Sequence, residues 1–329
     1  MPLKFLHICL LALVLPVMAA AQPKGYVISA VNAEPLATEA TLRAQVEFLA
    51  DSLCAGRATG TAGSVHAQAG IARQFKAAGL LPCGEGWFHG FRTLTGVKGQ
   101  NVVGFLPGTG DRYVIIAAHY DHIGTLSGAL YPGADSNASG VAALVTMARM
   151  FQHLKELGKT YSSTLIFVAL DGKEQSLSGA RHLWNEIEFH LLADPVKGRP
   201  VLPSDIDRMV NIDQVGGTEA PIHPNRPDYL MMLSDPRDGR RDALLVANMN
   251  FGVKLDIGFD YYGSKDFTRL FYRTVSDQKP FVDHGIPSVM FTSGITLRTN
   301  KTDDTPDTLD YAIFRRRVLA MFYYLVRVI

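Results

Sequence analysis

Six short apolar runs that alternate with helical segments constrain the fold of this chain most strongly. Several runs are apolar at consecutive positions rather than at every second position. Continuous apolar strands are typical of a sheet that helices cover on both faces. The sequence therefore predicts a three-layer α/β/α sandwich around a mostly parallel, mixed sheet. The predicted strands cover residues 101–106, 112–118, 164–170, 209–212, 229–233 and 288–292.

Helical segments fill the intervals between these runs. The candidates are residues 38–50, 64–79, 139–157, 177–189, 241–250 and 311–328, and Ser64 is the expected N-cap of the second. No repeat, low-complexity stretch or linker follows residue 35. We therefore expect one main domain over residues 100–329, with a helical N-terminal lead-in over 22–99 packed on it.

Residues 1–21 have the pattern of a cleaved signal peptide. Lys4 supplies the positive start, residues 8–17 are almost entirely apolar, and three alanines at 19–21 provide a cleavage site. The apolar run is shorter than the roughly 20 residues of a membrane-spanning helix. We expect an exported protein, periplasmic or secreted, with no membrane segment after cleavage and an oligomeric state that the sequence leaves open.

The charge balance excludes one class of partner. The chain has 32 Lys and Arg against 31 Asp and Glu, and its longest basic run is three arginines at 315–317. Nucleic-acid-binding surfaces concentrate positive charge. Nucleic acid is therefore not an expected partner.

Cys54 and Cys83 are the two cysteines that remain after the predicted cleavage. In an oxidising compartment they could form a disulfide. Two buried thiols are an equal alternative.

Residue types that bind zinc collect at the predicted ends of the strands and beside one helix: His119 with Asp121, Asp135, Glu174 and Asp213. Ligands of open α/β sheets bind beyond the carboxyl ends of the strands, so these side chains are expected to converge. One histidine and three carboxylates are a plausible zinc set. Asp121 could orient the His119 ring by accepting its second N–H. Each residue alone also fits a structural role, such as a helix cap or a turn.

Five motifs in order resemble the secreted two-zinc aminopeptidase family, which includes bacterial leucyl aminopeptidases, glutamate carboxypeptidase-like enzymes and glutaminyl cyclases. They are AHYDHIG at 118–124, PGADSNASG at 132–140, DGKEQSLSGA at 171–180, NIDQVGG at 211–217 and GIPSVMFTSG at 285–294. The similarity covers about residues 44–311. It implies an aminopeptidase-like fold and metal-assisted hydrolysis of N-terminal peptide bonds.

The resemblance also implies a role for each candidate ligand. His119 and Asp213 match ligands of one zinc, and Asp135 matches the carboxylate that bridges both zincs. Glu174 matches a ligand of the second zinc. By analogy with the family, Asp277 is expected near the substrate cleft.

Two positions depart from the family's pattern. Lys173 stands where the family has its glutamate general base, and Asn300 stands where it has the last histidine ligand. An ammonium cannot accept a proton from water, and an amide oxygen is a poor substitute for imidazole at zinc. We expect one zinc at the first position, and a second position that is empty or filled by Lys173 paired with Glu174.

Three functions follow from this reading. The first is an exported metallo-aminopeptidase-like protein whose activity is weak or lost, acting on peptides or small amines. A neutral Lys173, Asp171 or His122 would then have to serve as the base. The second is a non-catalytic protein that binds peptides or a partner in the old substrate cleft, which Tyr261 could line. The third, a single-zinc glutaminyl-cyclase-like enzyme, ranks last because it also needs a carboxylate base.

Overall fold

The computed structural model describes residues 29–84, 86–220, 225–235 and 238–329. The predicted signal peptide and the start of the predicted lead-in lie outside these residues. Within the described ranges, no helix is both long and apolar enough to cross a membrane.

A nine-stranded mixed sheet forms the centre of the described chain. Its strands are β1 (Leu81–Pro82), β2 (Phe88–Arg92), β3 (Lys98–Leu106), β4 (Arg112–His119), β7 (Ser163–Leu170), β8 (Ile206–Ile212), β9 (Tyr229–Ser234), β10 (Asp256–Gly258) and β11 (Ser288–Thr292). The spatial order is β1-β3-β7-β4-β8-β11-β9-β10, and β2 also pairs with β3. Strands β7, β4, β8 and β11 are parallel to one another, so their carboxyl ends share one edge of the sheet. Strands β5 (Gly124–Leu126) and β6 (Ala129–Tyr131) form a separate hairpin.

Helices pack on both faces of this sheet. They are α1 (Glu39–Ala50), α2 (Ala62–Ala77), α3 (Gly140–Glu156), α4 (Ser178–Glu188), α5 (Arg241–Asn250), α6 (Lys265–Arg273), α7 (Lys279–Asp283) and α8 (Tyr311–Val328). Along β4, Val114 and Ile116 contribute to the core shared with α1, α2, α3 and α8, whereas Tyr113 and Ile115 contribute to the core shared with α4. Successive strand residues point to opposite faces, so a strand buried on both sides must be apolar throughout. The predicted α/β/α sandwich is confirmed.

Several element boundaries coincide with the prediction, and others differ. Strand β11 and helices α5 and α8 begin and end at the predicted residues. The predicted N-cap of α2 is wrong: Thr61 caps the helix by accepting a hydrogen bond from the Ser64 amide, so Ser64 lies inside the first turn. Strands β1 and β2 pair with β3, so the main sheet begins within the predicted lead-in.

The two cysteines in the described ranges, Cys54 and Cys83, are free thiols in buried positions. Cys54 belongs to the core on the α1 and α2 side of the sheet, and Cys83 belongs to the core on the α4 side. The sheet separates the two sulfur atoms. A disulfide needs Cα atoms within about 7 Å, so the structure favours the alternative of two buried thiols.

Candidate active site

The carboxyl ends of three neighbouring parallel strands bring the predicted polar residues together. His119 is the last residue of β4, Asp171 follows β7, and Asp213 follows β8. The turn after Asp171 carries Lys173 and Glu174 toward the same edge. The convergence expected from the strand-end rule is therefore present for these residues.

Lys173 forms the centre of this group. Its Nζ lies 2.7 Å from Asp213 Oδ2 and 3.0 Å from His119 Nε2. The His119 and Asp213 side chains are 0% and 6% exposed. The ammonium donates to the carboxylate, and His119 Nε2 lies within hydrogen-bonding distance of it. A single cationic nitrogen thus bridges two of the predicted ligands of the first zinc.

The charges of Lys173 and Asp213 stabilise each other. Burial alone would lower the pKa of Lys173, but the Asp213 carboxylate raises it above its ordinary value. Burial alone would raise the pKa of Asp213, and Lys173 reverses this to hold the pKa well below its usual range. The contact with the Asp213 carboxylate therefore favours the ammonium form of Lys173, which donates hydrogen bonds and cannot act as a base.

Asp121 holds the turn that presents Lys173. Its two carboxylate oxygens accept hydrogen bonds from the main-chain N–H groups of Lys173 and Glu174 at 3.1 and 3.0 Å. His119 Nδ1 lies 3.1 Å from the main-chain oxygen of Asp121 and 3.6 Å from its carboxylate Oδ1. The predicted pairing of Asp121 with His119 is thus made mainly through the main-chain oxygen, because the carboxylate is engaged by the turn.

The Asp135 carboxylate lies in a different environment from Lys173. Its Oδ1 accepts hydrogen bonds from Ser139 Oγ and from the amides of Gly216 and Gly217, at 3.1, 2.8 and 2.9 Å. Its Oδ2 is buried without a hydrogen-bond partner among the described residues. Burial raises the pKa of this carboxyl group. Asp135 is therefore held by the loop after β8 rather than by the Lys173 group.

Glu174 and Asn300, the remaining predicted positions of the second metal, are exposed and line one cleft with Lys173 and Asp213. The cleft encloses about 280 Å³. The structure places neither Glu174 nor Asn300 in hydrogen-bonding contact with Lys173, so the predicted Lys173–Glu174 pair is replaced by the contacts with Asp213 and His119. Lys173 pairs with Asp213 rather than with Glu174 because the Asp213 carboxylate is buried and would otherwise lack a cationic partner, whereas Glu174 is exposed to water.

Asp277 follows Val275 and Ser276, which line this cleft. The residue is fully buried, and neither of its carboxylate oxygens has a hydrogen-bond partner among the described residues. Burial raises its pKa to about 7, although the charges of His119 and Lys173 act in the opposite direction. The family analogy indicated its neighbourhood, but only the structure shows that it is enclosed.

Two buried arginines that the sequence analysis did not identify hold the loops of the site. Arg57 donates to the main-chain oxygens of Leu49, Tyr120, Pro132 and Gly133 at 2.5 to 2.9 Å. Arg317 donates to the main-chain oxygens of the loop after β8. The sequence carried no signal of this burial, because arginine side chains are rarely fully buried in proteins.

The donor atoms present do not fit a zinc ion in this arrangement. The described residues contain no group of three or more His, Cys, Asp or Glu side chains placed to hold a metal. The Lys173 ammonium lies between the His119 nitrogen and the Asp213 carboxylate, where a cation shared by these two side chains would lie. An ammonium and a zinc ion cannot share this space.

Residues 101–325 match the sequence profile of Peptidase family M28. The chain belongs to this family. A probable zinc metalloprotease from Pyrenophora tritici-repentis is 27% identical over 223 residues, which cover 61% of this chain and 47% of that protein. The M28 chain thus spans less than half the length of this relative. Zinc is the metal that the family and this relative support.

Solved structures agree with the M28 fold. The Legionella pneumophila LapA aminopeptidase superimposes with a TM-score of 0.69 at 14% identity, over 94% of this chain and 78% of that one. A glutaminyl cyclase from Porphyromonas gingivalis gives a TM-score of 0.64 at 15% identity, over 89% of this chain and 99% of that one. The family and the fold predicted from the five motifs are both confirmed.

Proposed function

We propose that this M28 protein is exported and binds peptides or small amines in the cleft beside Lys173, with the hydrolytic activity of its family weak or lost. One observation carries the proposal: the Lys173 ammonium contacts both His119 and Asp213. The side chain at the family's general-base position is thereby a hydrogen-bond donor.

The charge of Lys173 opposes metal binding as well as proton abstraction. At an effective dielectric constant near 20, an ammonium and a dication about 4 Å apart repel by roughly 8 kcal/mol. The same ammonium is attracted to Asp213, so it is stabilised in the position that a metal would need. Loss of the base and loss of the cation position therefore have a common cause.

The cleft is suited to a ligand with an apolar side chain and an amine. Tyr261, Phe271 and Ile295 contribute to its walls, and Glu174 is an exposed carboxylate at its rim. A ligand ammonium would pair with Glu174, and an apolar side chain would contact the aromatic walls. The cleft volume of about 280 Å³ suits one side chain rather than a folded partner.

A second candidate is a slow, single-zinc peptidase. It is favoured by the distance of 3.5 Å between His119 Nε2 and Asp213 Oδ1, because two ligands of the first zinc position still face each other. This function requires Lys173 to leave its buried contacts. The glutaminyl-cyclase-like alternative stays a prediction.

The test is hydrolysis of an aminoacyl-p-nitroanilide and dipeptide panel by protein lacking residues 1–21, with added zinc or a chelator. We expect no chelator-sensitive turnover from the natural sequence. The double variant Lys173→Glu/Asn300→His should bind more zinc and gain hydrolysis, because it regains a base and a ligand. Chelator-sensitive turnover by the natural protein would support the second candidate instead. A double variant that gains neither zinc nor activity would contradict this account of the site.

Calorimetric titration with a leucine amide and with its N-acetylated form tests the binding half of the proposal. The free amine should bind, and acetylation should weaken binding because it removes the charge that pairs with Glu174. Glu174→Gln should reduce the difference between the two ligands. Equal affinity for both ligands would rule out amine recognition at this rim.

A further inference from the structure

Strand β2 has one free edge. It pairs with β3 in the register Phe88 to Val102 through Arg92 to Lys98. The main-chain bonds Val103 N–H to Trp87 O and Thr93 N–H to Val97 O, both 2.9 Å, fix which residues bond across this pair. No other described strand pairs with the outer edge of β2.

The alternation of hydrogen-bonded pairs between β2 and β3 leaves the main-chain groups of three β2 residues facing outward. In an antiparallel pair, residues that exchange hydrogen bonds alternate with residues whose N–H and C=O groups point to the other side. Because Trp87 and Thr93 bond across the pair, the main-chain groups of Phe88, Gly90 and Arg92 point away from β3. All three of these residues are exposed. An edge of this kind can pair with another extended chain.

Positive charge lies on both faces of this edge. Arg92 is directly opposite Lys98 across the hairpin, and like charges in that position repel each other. Both side chains line a cavity of about 680 Å³ on the α2 face of β2. On the α4 face, Arg181 and Lys279 line a second cavity of about 660 Å³ together with Phe91 and Arg92, so Arg92 borders both cavities.

Few carboxylates compensate these cations. Asp283 pairs with Lys279. Asp171 is 1% exposed and accepts from Thr59 Oγ1 and the Gln100 amide, so its charge is directed inward. Among the described residues, Arg181 has no side-chain hydrogen bond or ion pair.

We propose that the free edge of β2 binds an acidic peptide in an extended conformation, as an added strand. Alternate side chains of such a strand point to opposite faces of the sheet. Its carboxylates would contact Lys98 on one face and Arg181 on the other, and Arg92 borders both faces. This site is separate from the cleft beside Lys173 and does not depend on the function proposed for that cleft.

The test uses a fluorescein-labelled, N-terminally acylated peptide of alternating Thr and Glu, followed by fluorescence anisotropy at low salt. The blocked N-terminus keeps it from being recognised as an amine in the cleft. Two matched peptides serve as controls: one with Gln in place of Glu, and one with every backbone amide N-methylated. We expect the parent peptide to bind and both controls to bind at least tenfold more weakly. Equal binding of the N-methylated peptide would overturn strand addition, because charge alone would then explain binding.

Protein variants locate the site. Arg92→Gln/Lys98→Gln should weaken binding by about 2- to 30-fold, the factor expected from two exposed ion pairs. The matched control is Arg73→Gln/Lys76→Gln on the exposed side of α2, which removes the same charge and should leave affinity unchanged.

Gly90→Pro tests the backbone separately. Its N–H faces outward, so proline removes a free edge donor rather than a bond to β3. Binding should be lost while the circular dichroism spectrum is unchanged. If the natural protein does not bind the Glu peptide, or if both double variants bind equally well, the proposal is wrong and the cations serve only to prevent edge-to-edge association.

Discussion

Removal of the Lys173 charge directly tests the contact between Lys173 and Asp213. In a Lys173→Met variant the side chain keeps most of its length and apolar contact but loses the ammonium. Asp213, whose side chain is 6% exposed, then loses its nearest cation, and the His119 ring remains at 3.5 Å from its carboxylate. Removal of one member of a buried ion pair destabilises the folded state, because the remaining charge stays desolvated.

The magnitude follows from the geometry. At an effective dielectric constant near 20, unit charges 2.7 Å apart attract by about 6 kcal/mol. Desolvation of both groups offsets part of this attraction, so we expect the free energy of unfolding to fall by about 3–5 kcal/mol at pH 7.

The pH dependence has a defined sign. Burial would raise the pKa of Asp213, but Lys173 lowers it below the value of the unfolded chain. The pair therefore contributes fully above about pH 4, and its contribution is lost as the pH falls through the lower, folded-state pKa. The difference between the natural protein and Lys173→Met should shrink toward acid pH.

Urea unfolding in the presence of a chelator measures this loss, and Lys76→Met, which removes an exposed lysine, is the matched control. Added zinc should raise the free energy of unfolding of Lys173→Met, but not that of the natural protein or of Lys76→Met. The expected gain is about 2.7 kcal/mol at a zinc concentration of 100 times the dissociation constant. A variant that is within 1 kcal/mol of the natural protein and indifferent to zinc would refute the reasoning.

Three further predictions concern buried groups. Arg57→Ala should lower the free energy of unfolding by about 3–5 kcal/mol, because it leaves several buried main-chain oxygens without a donor. Urea unfolding measures this loss, with the exposed Arg73→Ala as control. A loss under 1 kcal/mol contradicts the prediction. Burial raises the pKa of Asp277 to about 7, so the free energy of unfolding should fall as the pH rises from about 4 to 7. Asp277→Asn should remove up to about 4 kcal/mol of this fall. The prediction is wrong if the natural protein and the variant lose the same free energy of unfolding between pH 5 and pH 8. Thiol titration should find Cys54 and Cys83 both reactive after denaturation without reductant; absence of free thiol would mean that they are joined.

The central strands of the sheet could be predicted because each is marked by an apolar run within its own residues. The run at 288–292 is apolar, is bounded by turn residues and forms β11 without any difference in its ends. Strand β2 has no comparable run, since its residues alternate in exposure and it exists through pairing with β3. Helix α6 was also missed, because it is short and most of its residues are charged or exposed.

The site could be predicted as a group of residues but not as a set of contacts. The strand-end rule brought His119 and Asp213 together, and the family pattern singled out Lys173. The direction of the Asp135 carboxylate depends on the amides of Gly216 and Gly217, which are distant in sequence. The choice of Asp213 over Glu174 as partner of Lys173 depends on burial, which a sequence does not state.

The attachment of the Lys173 turn to Asp121 has a consequence for how this protein can change. Asp121 holds the turn through the main-chain N–H groups of residues 173 and 174, which every residue except proline possesses. The position of the backbone is therefore independent of the side chain that it displays. A single exchange at residue 173 can replace a proton acceptor with a cation, or reverse that change, without rebuilding the loop. The side chain at position 173 can therefore change from an acid to a base while the fold of the turn stays the same.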